Sequence, residues 1–170
     1  MRLNCERVRM RQRVLQAVCS GKRTGNRRAS MLLGGCFCGS IRYESTSPLY
    51  APTLCHCRSC QRASGAHVVG WFTVRSDGLR FGAAAPMERE SSPGVWRGYC
   101  PHCHSPLTYR AAARPSEIDI TIASLDDPDA VVPADHIYMA DAIAWDQPCD
   151  GRALFSGTRI PGPSGSQGEG

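Results

Sequence analysis

Apolar positions along this chain recur mostly at every second residue. In "SIRYES", Ile41 and Tyr43 fall on one side and Arg42 and Glu44 on the other, the alternation of a half-buried strand. "EIDITIASL" repeats the pattern with Ile118, Ile120 and Ile122 facing one way. "HVVGWFTV" is rich in β-branched and aromatic residues and reads as a further strand. The "RSDG" and "LRF" that follow it predict a hairpin turning at Asp77-Gly78. "VWRGY" and "PLTYR" flank Cys100 and Cys103 as two strands joined by a tight knuckle would. Helical periodicity is weaker everywhere, with one turn expected from Gln61 to Ala66. "DDPDAVVP" reads as a loop and "HIYMADAIAW" as a final extended or mixed segment, and no internal repeat is present. The chain is therefore expected to be mostly β.

Length and charge narrow this picture. At 170 residues the chain is long enough for one domain with a sizeable core and loose ends. Nothing approaches 18 consecutive apolar residues, so no membrane span is expected. The net charge of +5 is uneven. Residues 1–30 hold nine Arg or Lys against Glu6, whereas the other 140 residues hold eleven basic and fourteen acidic groups, a balance of −3. A basic stripe for nucleic acid is not supported in the folded part. Residues 1–30 read as a basic, disordered leader, for which a true start at Met31 is the favoured explanation. An organellar presequence and a solvated interaction arm are the alternatives. A single domain is expected over 31–156, and the Gly, Pro and Ser of 157–170 read as a disordered tail. The N-terminus lacks the apolar stretch of a secretory signal, so a cytoplasmic setting is expected.

Ten cysteines change the picture most. A disulfide scaffold of a secreted protein is disfavoured by the missing signal and by the spacing, since cysteines one residue apart close strained rings. Metal binding explains close spacing better. Cys5 and Cys19 lie in the leader and Cys149 stands alone. Seven remain, and they divide into four plus three. Cys36 and Cys38 sit two apart at an expected strand start, so both sulfurs face one way. Cys100 and Cys103 form C-x-x-C in a turn stiffened by Pro101. Two plus two makes a closed tetrahedral zinc site that clips residue 36 to residue 103 and contributes folding free energy. Cys55, Cys57 and Cys60 form C-x-C-x-x-C and supply three corners. The fourth is then open for water or a substrate thiol, as in catalytic zinc sites. The competing reading is a Cys₃His structural site completed by His67, or by His56, which strand geometry points to the opposite face. His102 and His104 read as exposed turn residues, and His136 as a hydrogen-bonded histidine at the edge of the core.

"GGCFCGSIRYES", "CHCRSCQRASGA", "YCPHCHSPL", "LDDP" and "HIYM" together resemble the glutathione-dependent formaldehyde-activating enzyme family, also called centromere-protein-V-like, over roughly residues 31 to 150. The resemblance implies a mostly β "tent" fold with two zinc ions per chain. It implies Cys36, Cys38, Cys100 and Cys103 as structural zinc ligands, and Cys55, Cys57 and Cys60 as ligands of a catalytic zinc. The activity implied is that of a carbon–sulfur lyase resembling S-(hydroxymethyl)glutathione synthase, with a glutathione-like thiol and an aldehyde as small-molecule partners. Two departures stand out. The family's knuckle has glycine where this chain has His104, a position that suits φ > 0, and the Arg-rich leader lies outside the pattern. Arg58 and Arg62 flank the three-cysteine cluster and are candidates for a substrate carboxylate, although such surface arginines are usually just solvated. The alternative function is a non-enzymatic module in which both metals hold the fold. A thiol–sulfoxide reductase is a third reading, for which Cys149 is the available reactive cysteine.

Overall fold

Ile41 and Tyr43 do turn alternation into a buried face: they are 0% and 3% exposed. The computed structural model describes residues 31–159. The leader expected over 1–30, with Cys5 and Cys19, lies outside the described residues, as do residues 160–170.

Two sheets carry the architecture, which is mostly β and one domain, as expected. Strands β1 (Leu32–Gly35), β2 (Arg42–Ser45) and β5 (Leu79–Phe81) form a small antiparallel sheet in the order β1-β2-β5. The larger sheet has eight strands: β3 (Tyr50–Cys55), β4 (Val69–Arg75), β6 (Met87–Ser92), β7 (Val95–Tyr99), β8 (Pro106–Ala111), β9 (Glu117–Thr121), β10 (Asp135–Ile137) and β11 (Ala153–Leu154). Their order is β11-β10-β3-β4-β9-β8-β7-β6. β10 runs parallel to β3 and β11, and the other neighbours are antiparallel. Helix α1 (Arg58–Ser64) follows β3.

The core forms where side chains of the two sheets meet. Phe72 and Val74 of β4 and Ile118 and Ile120 of β9 pack with Leu32, Ile41 and Tyr43. Each large side chain fully buried here contributes about 1.5–3 kcal/mol. β4 reads as a continuous apolar run because both its faces are covered. Phe72 and Val74 enter this core, while Val69 and Trp71 join a second cluster with Cys55 and Cys60 on the opposite face.

Two local expectations need correction. Asp77-Gly78 does not close a hairpin between β4 and β5. Residues Ser76–Gly78 make a 3-10 turn that carries the chain from one sheet to the other, where β5 pairs with β2. Leu79 and Phe81 gain more burial packed against the core than beside β4, whose two edges β3 and β9 already occupy. The helical turn also begins earlier than expected, at Arg58 rather than Gln61, because Cys57 caps it. Among the described residues no helix is long and apolar enough to cross a membrane.

Candidate metal centres and substrate cleft

The seven cysteines separate into the two groups that their spacing implies. The sulfurs of Cys36, Cys38, Cys100 and Cys103 lie within 4.8 Å of one another, and so do those of Cys55, Cys57 and Cys60. All are free thiols rather than disulfides.

The quartet is built from two turns. Cys36 and Cys38 lie in the turn between β1 and β2, not on a strand as expected. The Gly39 N–H donates to the Cys36 carbonyl at 3.1 Å, closing that turn. Cys100 and Cys103 lie in the knuckle between β7 and β8, where the His104 N–H donates to the Cys100 carbonyl at 3.0 Å. Ser105 joins the turns: its hydroxyl accepts from the Phe37 N–H at 3.1 Å and lies 3.2 Å from the Cys103 sulfur. Cys36 and Cys38 sulfurs are 3.5 Å apart, and those of Cys38 and Cys100 are 3.8 Å apart. Four thiolates around one Zn²⁺ at 2.3 Å stand about 3.8 Å from one another, so this donor set fits a closed tetrahedral site. Hydrogen bonds from Ser105 hold the Cys103 thiol down at about 5, and so favour the ligating thiolate.

The trio comes from a single strand-to-helix junction. Cys55 ends β3, Cys57 caps α1, and Cys60 sits in the first turn of α1. The Cys57 sulfur accepts the Cys60 N–H at 3.3 Å, which brings the sulfurs at caps N and N3 to one side. Gly65 ends the helix with φ 70°, its N–H donating to the Gln61 carbonyl at 2.8 Å. Hydrogen bonds from Cys55 and Cys60 hold the Cys57 thiol far below the ordinary cysteine range. Hydrogen bonds to Cys57 and Cys60, together with burial, push Cys55 up. Three thiolates suit three corners of a zinc tetrahedron. Among the described residues no further Cys, His, Asp or Glu joins this group.

Both histidine alternatives point elsewhere. His56 is buried, with Nε2 2.9 Å from Nδ1 of His136, whose Nε2 lies 3.1 Å from a carboxylate oxygen of Asp150. Arg152 closes this chain of groups on Asp150. Burial first, and His136 second, lower the pKa of His56. His67 pairs with Asp146 at 2.9 Å and lies against the Trp145 ring. The buried His56–His136–Asp150 chain was not legible in sequence, because its members are separated by 80 and 14 positions.

The trio opens onto a cleft of about 750 Å³. Its walls come from one face of the large sheet. Cross-strand pairing lines up Arg97, Tyr109, Asp119 and Thr73 in one row, and a neighbouring row holds Trp71, Thr53 and Asp135. Tyr138 closes the cleft beside the sulfurs, with a left-handed backbone at φ 58°. Burial raises the pKa of both Tyr109 and Tyr138, so each keeps its proton at neutral pH. Of the two arginines named from sequence, Arg58 lines the cleft and Arg62 does not. Arg97, Arg114 and Arg159 line it as well. A sequence pattern could not have found them, since Arg97 lies on a distant strand, Arg114 in the turn between β8 and β9, and Arg159 beyond the expected domain end. Cys149 is half-buried and stands outside both clusters.

A family model described as glutathione-dependent formaldehyde-activating enzyme matches residues 31–141. No curated protein matches the chain. Among solved structures, the chain is similar to a Rhodobacter sphaeroides protein determined as a Northeast Structural Genomics target. The two are 19% identical, the match covers 72% of this chain and 98% of the other, and the TM-score is 0.45, too slight a likeness to carry an argument.

Proposed function

The chain belongs to the glutathione-dependent formaldehyde-activating enzyme family, and on that premise we propose that it is a zinc-dependent enzyme joining a thiol to an aldehyde. Glutathione is the thiol proposed and formaldehyde the aldehyde. One zinc is proposed for each cysteine cluster, giving two per chain. The observation that carries the reading is the contrast between the clusters. The quartet supplies a complete tetrahedral donor set, whereas the trio stops at three and faces the cleft.

A zinc ion held by the trio would keep a coordinating thiol deprotonated at neutral pH, which is the nucleophilic form. The chain's own residues do the rest. Cys55, Cys57 and Cys60 would hold the metal where they line the cleft. Trp71 and Val69, packed against Cys55 and Cys60, cover one side of the sulfurs and exclude water there. Tyr109 and Tyr138 retain their protons and line the space where a carbonyl oxygen would lie, so either hydroxyl can donate to it. A sulfur lone pair forms the carbon–sulfur bond as the carbonyl π pair moves to oxygen. That oxygen takes a proton from water, balancing the one that the thiol released. His56 takes no part, its ring being engaged with His136.

Cys57→Ser and Cys103→Ser separate the two roles. Cys57→Ser is expected to leave the fold cooperative and to lower the rate of adduct formation by at least about 100-fold, since changes merely around a metal ligand already cost 10–100-fold. The rate is read by ¹³C NMR of labelled formaldehyde with glutathione, corrected for the uncatalysed reaction. Cys103→Ser is expected to abolish the cooperative thermal transition. Zinc K-edge absorption adds a direct readout. The mean sulfur number per zinc should rise from about 3.5 to about 4 on adding glutathione. An unchanged coordination sphere with no acceleration would instead favour the non-enzymatic two-zinc module.

A further inference from the structure

Four arginines line the cleft, and three of them are already engaged. Arg114 binds the carboxylates of Glu117 and Asp119, at 2.7 Å each. Arg159 binds Asp135. Arg58 is exposed at the rim, its guanidinium bonded to Gln61 and its backbone N–H to Asp141. Arg97 differs from these: among the described residues it has no carboxylate partner. It projects from the middle of β7, half-buried, with its guanidinium 5.2 Å from the Tyr109 ring centre. Both terminal nitrogens stand 3.7 Å from the Cys60 sulfur. The same residue also walls a smaller cavity of about 240 Å³, which shares Cys60 and Trp71 with the cleft.

Electrostatics give this placement a consequence. Three thiolates on one Zn²⁺ leave a formal charge of −1, and a substrate thiolate makes it −2. A further negative group on that substrate, held close to the cluster, is repelled by it. A thiol that also carries an anion therefore needs a cation close to the sulfurs. A guanidinium has five N–H donors. Two nitrogens face Cys60, the guanidinium carbon stands over the Tyr109 ring, and donors remain for a planar, two-oxygen acceptor.

We propose that Arg97 is the specificity-determining residue for an anionic group on the thiol substrate, so that the site selects thiols bearing a carboxylate near the sulfur over neutral or cationic ones. The proposal rests on the thiol-binding reading above and goes beyond it by assigning the residue that reads the substrate's charge.

The experiment is isothermal titration calorimetry on the full, metal-loaded chain with three small thiols of similar size. 3-Mercaptopropionate is anionic, 2-mercaptoethanol neutral and cysteamine cationic. The unmodified protein is expected to bind them in that order of affinity, with about tenfold or more between the first and last. Arg97→Gln is expected to reduce that ratio to about twofold or less, chiefly by weakening the acid. Arg97→Lys keeps a charge but not the planar fork, and is expected to retain the order with a smaller ratio. Equal affinities in the unmodified protein, or an unchanged ratio in Arg97→Gln, would overturn the assignment while leaving thiol binding intact. Arg97 would then merely offset the charge of the cluster. If the unmodified protein binds none of the three thiols, the thiol-activation reading itself fails, and the assignment with it.

Discussion

His104 shows how much one residue can hold back a turn. It follows the knuckle cysteine with φ 59°, in the left-handed region where a β-carbon is crowded. Its N–H still closes the turn on Cys100, and its ring lies 6.3 Å from that of Tyr99. The conformation expected from the resemblance is therefore present, but with histidine in a glycine's place. His104→Gly is expected to stabilise the protein by about 0.5–1 kcal/mol, a rise of about 1–4 °C in Tm for a chain of this length. A lower Tm in differential scanning calorimetry would mean that the ring contact with Tyr99 outweighs the backbone strain. At the same scale, the trio and each cysteine pair were legible from spacing, because their members are near neighbours in sequence, whereas joining Cys36 and Cys38 to Cys100 and Cys103, at least 62 positions away, followed from the four donors of a closed zinc site. Arg97 was not legible. Nothing in "VWRGY" separates an arginine facing metal ligands from one facing water, and its contact with Cys60 spans 37 positions.

Elements add constraints that single residues do not carry. β1 approaches the turn after β9 closely enough to form a bridge between Gly34 and Leu125. The Asp126 N–H donates to the Leu33 carbonyl at 3.0 Å beside it. A β-carbon on Gly34 would come within 2.3 Å of the Tyr43 hydroxyl and 2.5 Å of the Ser124 carbonyl. The second of these is backbone and cannot swing aside. Gly34→Ala is therefore expected to destabilise by about 1–3 kcal/mol, read as a lower urea midpoint at unchanged slope. A neutral result would mean that β1 can shift away from the Tyr43–Ser124 hydrogen bond without loss. Alternation showed β2 and β9, and composition showed β4, whereas β3 and β6 carried no signal that was read as a strand. The partners of the strands were not visible: β5 follows β4 directly yet pairs with β2, because sheet membership depends on which edges are free.

The whole molecule is closed near its described end by one ion pair. Asp135 is buried on β10, and burial alone would raise its pKa. The Arg159 guanidinium and the Thr53 hydroxyl, the latter at 2.7 Å, outweigh burial and hold the carboxyl below its usual range. Arg159 also donates to the carbonyls of Ala51 and Pro52, at 3.1 and 2.9 Å. The Tyr138 N–H donates to the Gly157 carbonyl at 2.8 Å. Arg159→Gln is expected to cost about 1–3 kcal/mol at neutral pH, because it leaves the buried Asp135 carboxylate without its charged partner while the arginine side of the pair is partly solvated. The sign with pH follows from the depressed carboxyl. Its stabilisation is present above the unfolded value of about 4 and is lost as pH falls through the lower folded value. The gap between variant and parent should therefore narrow below about pH 4. A gap that stays constant from pH 7 to pH 3 in urea titrations would show that the ion pair is not its source.

Sequence by itself determined the strand-rich class and the partition of seven cysteines into four and three. The class follows from a period of two, and the partition from local ligand spacings together with the four donors that a closed zinc site takes. Only the tertiary structure decided which strands share a sheet, that the trio faces a cleft, that His56 and His67 are engaged elsewhere, and that Arg97 comes to lie beside Cys60. Each of these depends on groups far apart in the chain meeting through packing, burial and charge, and such distances leave no local pattern to read.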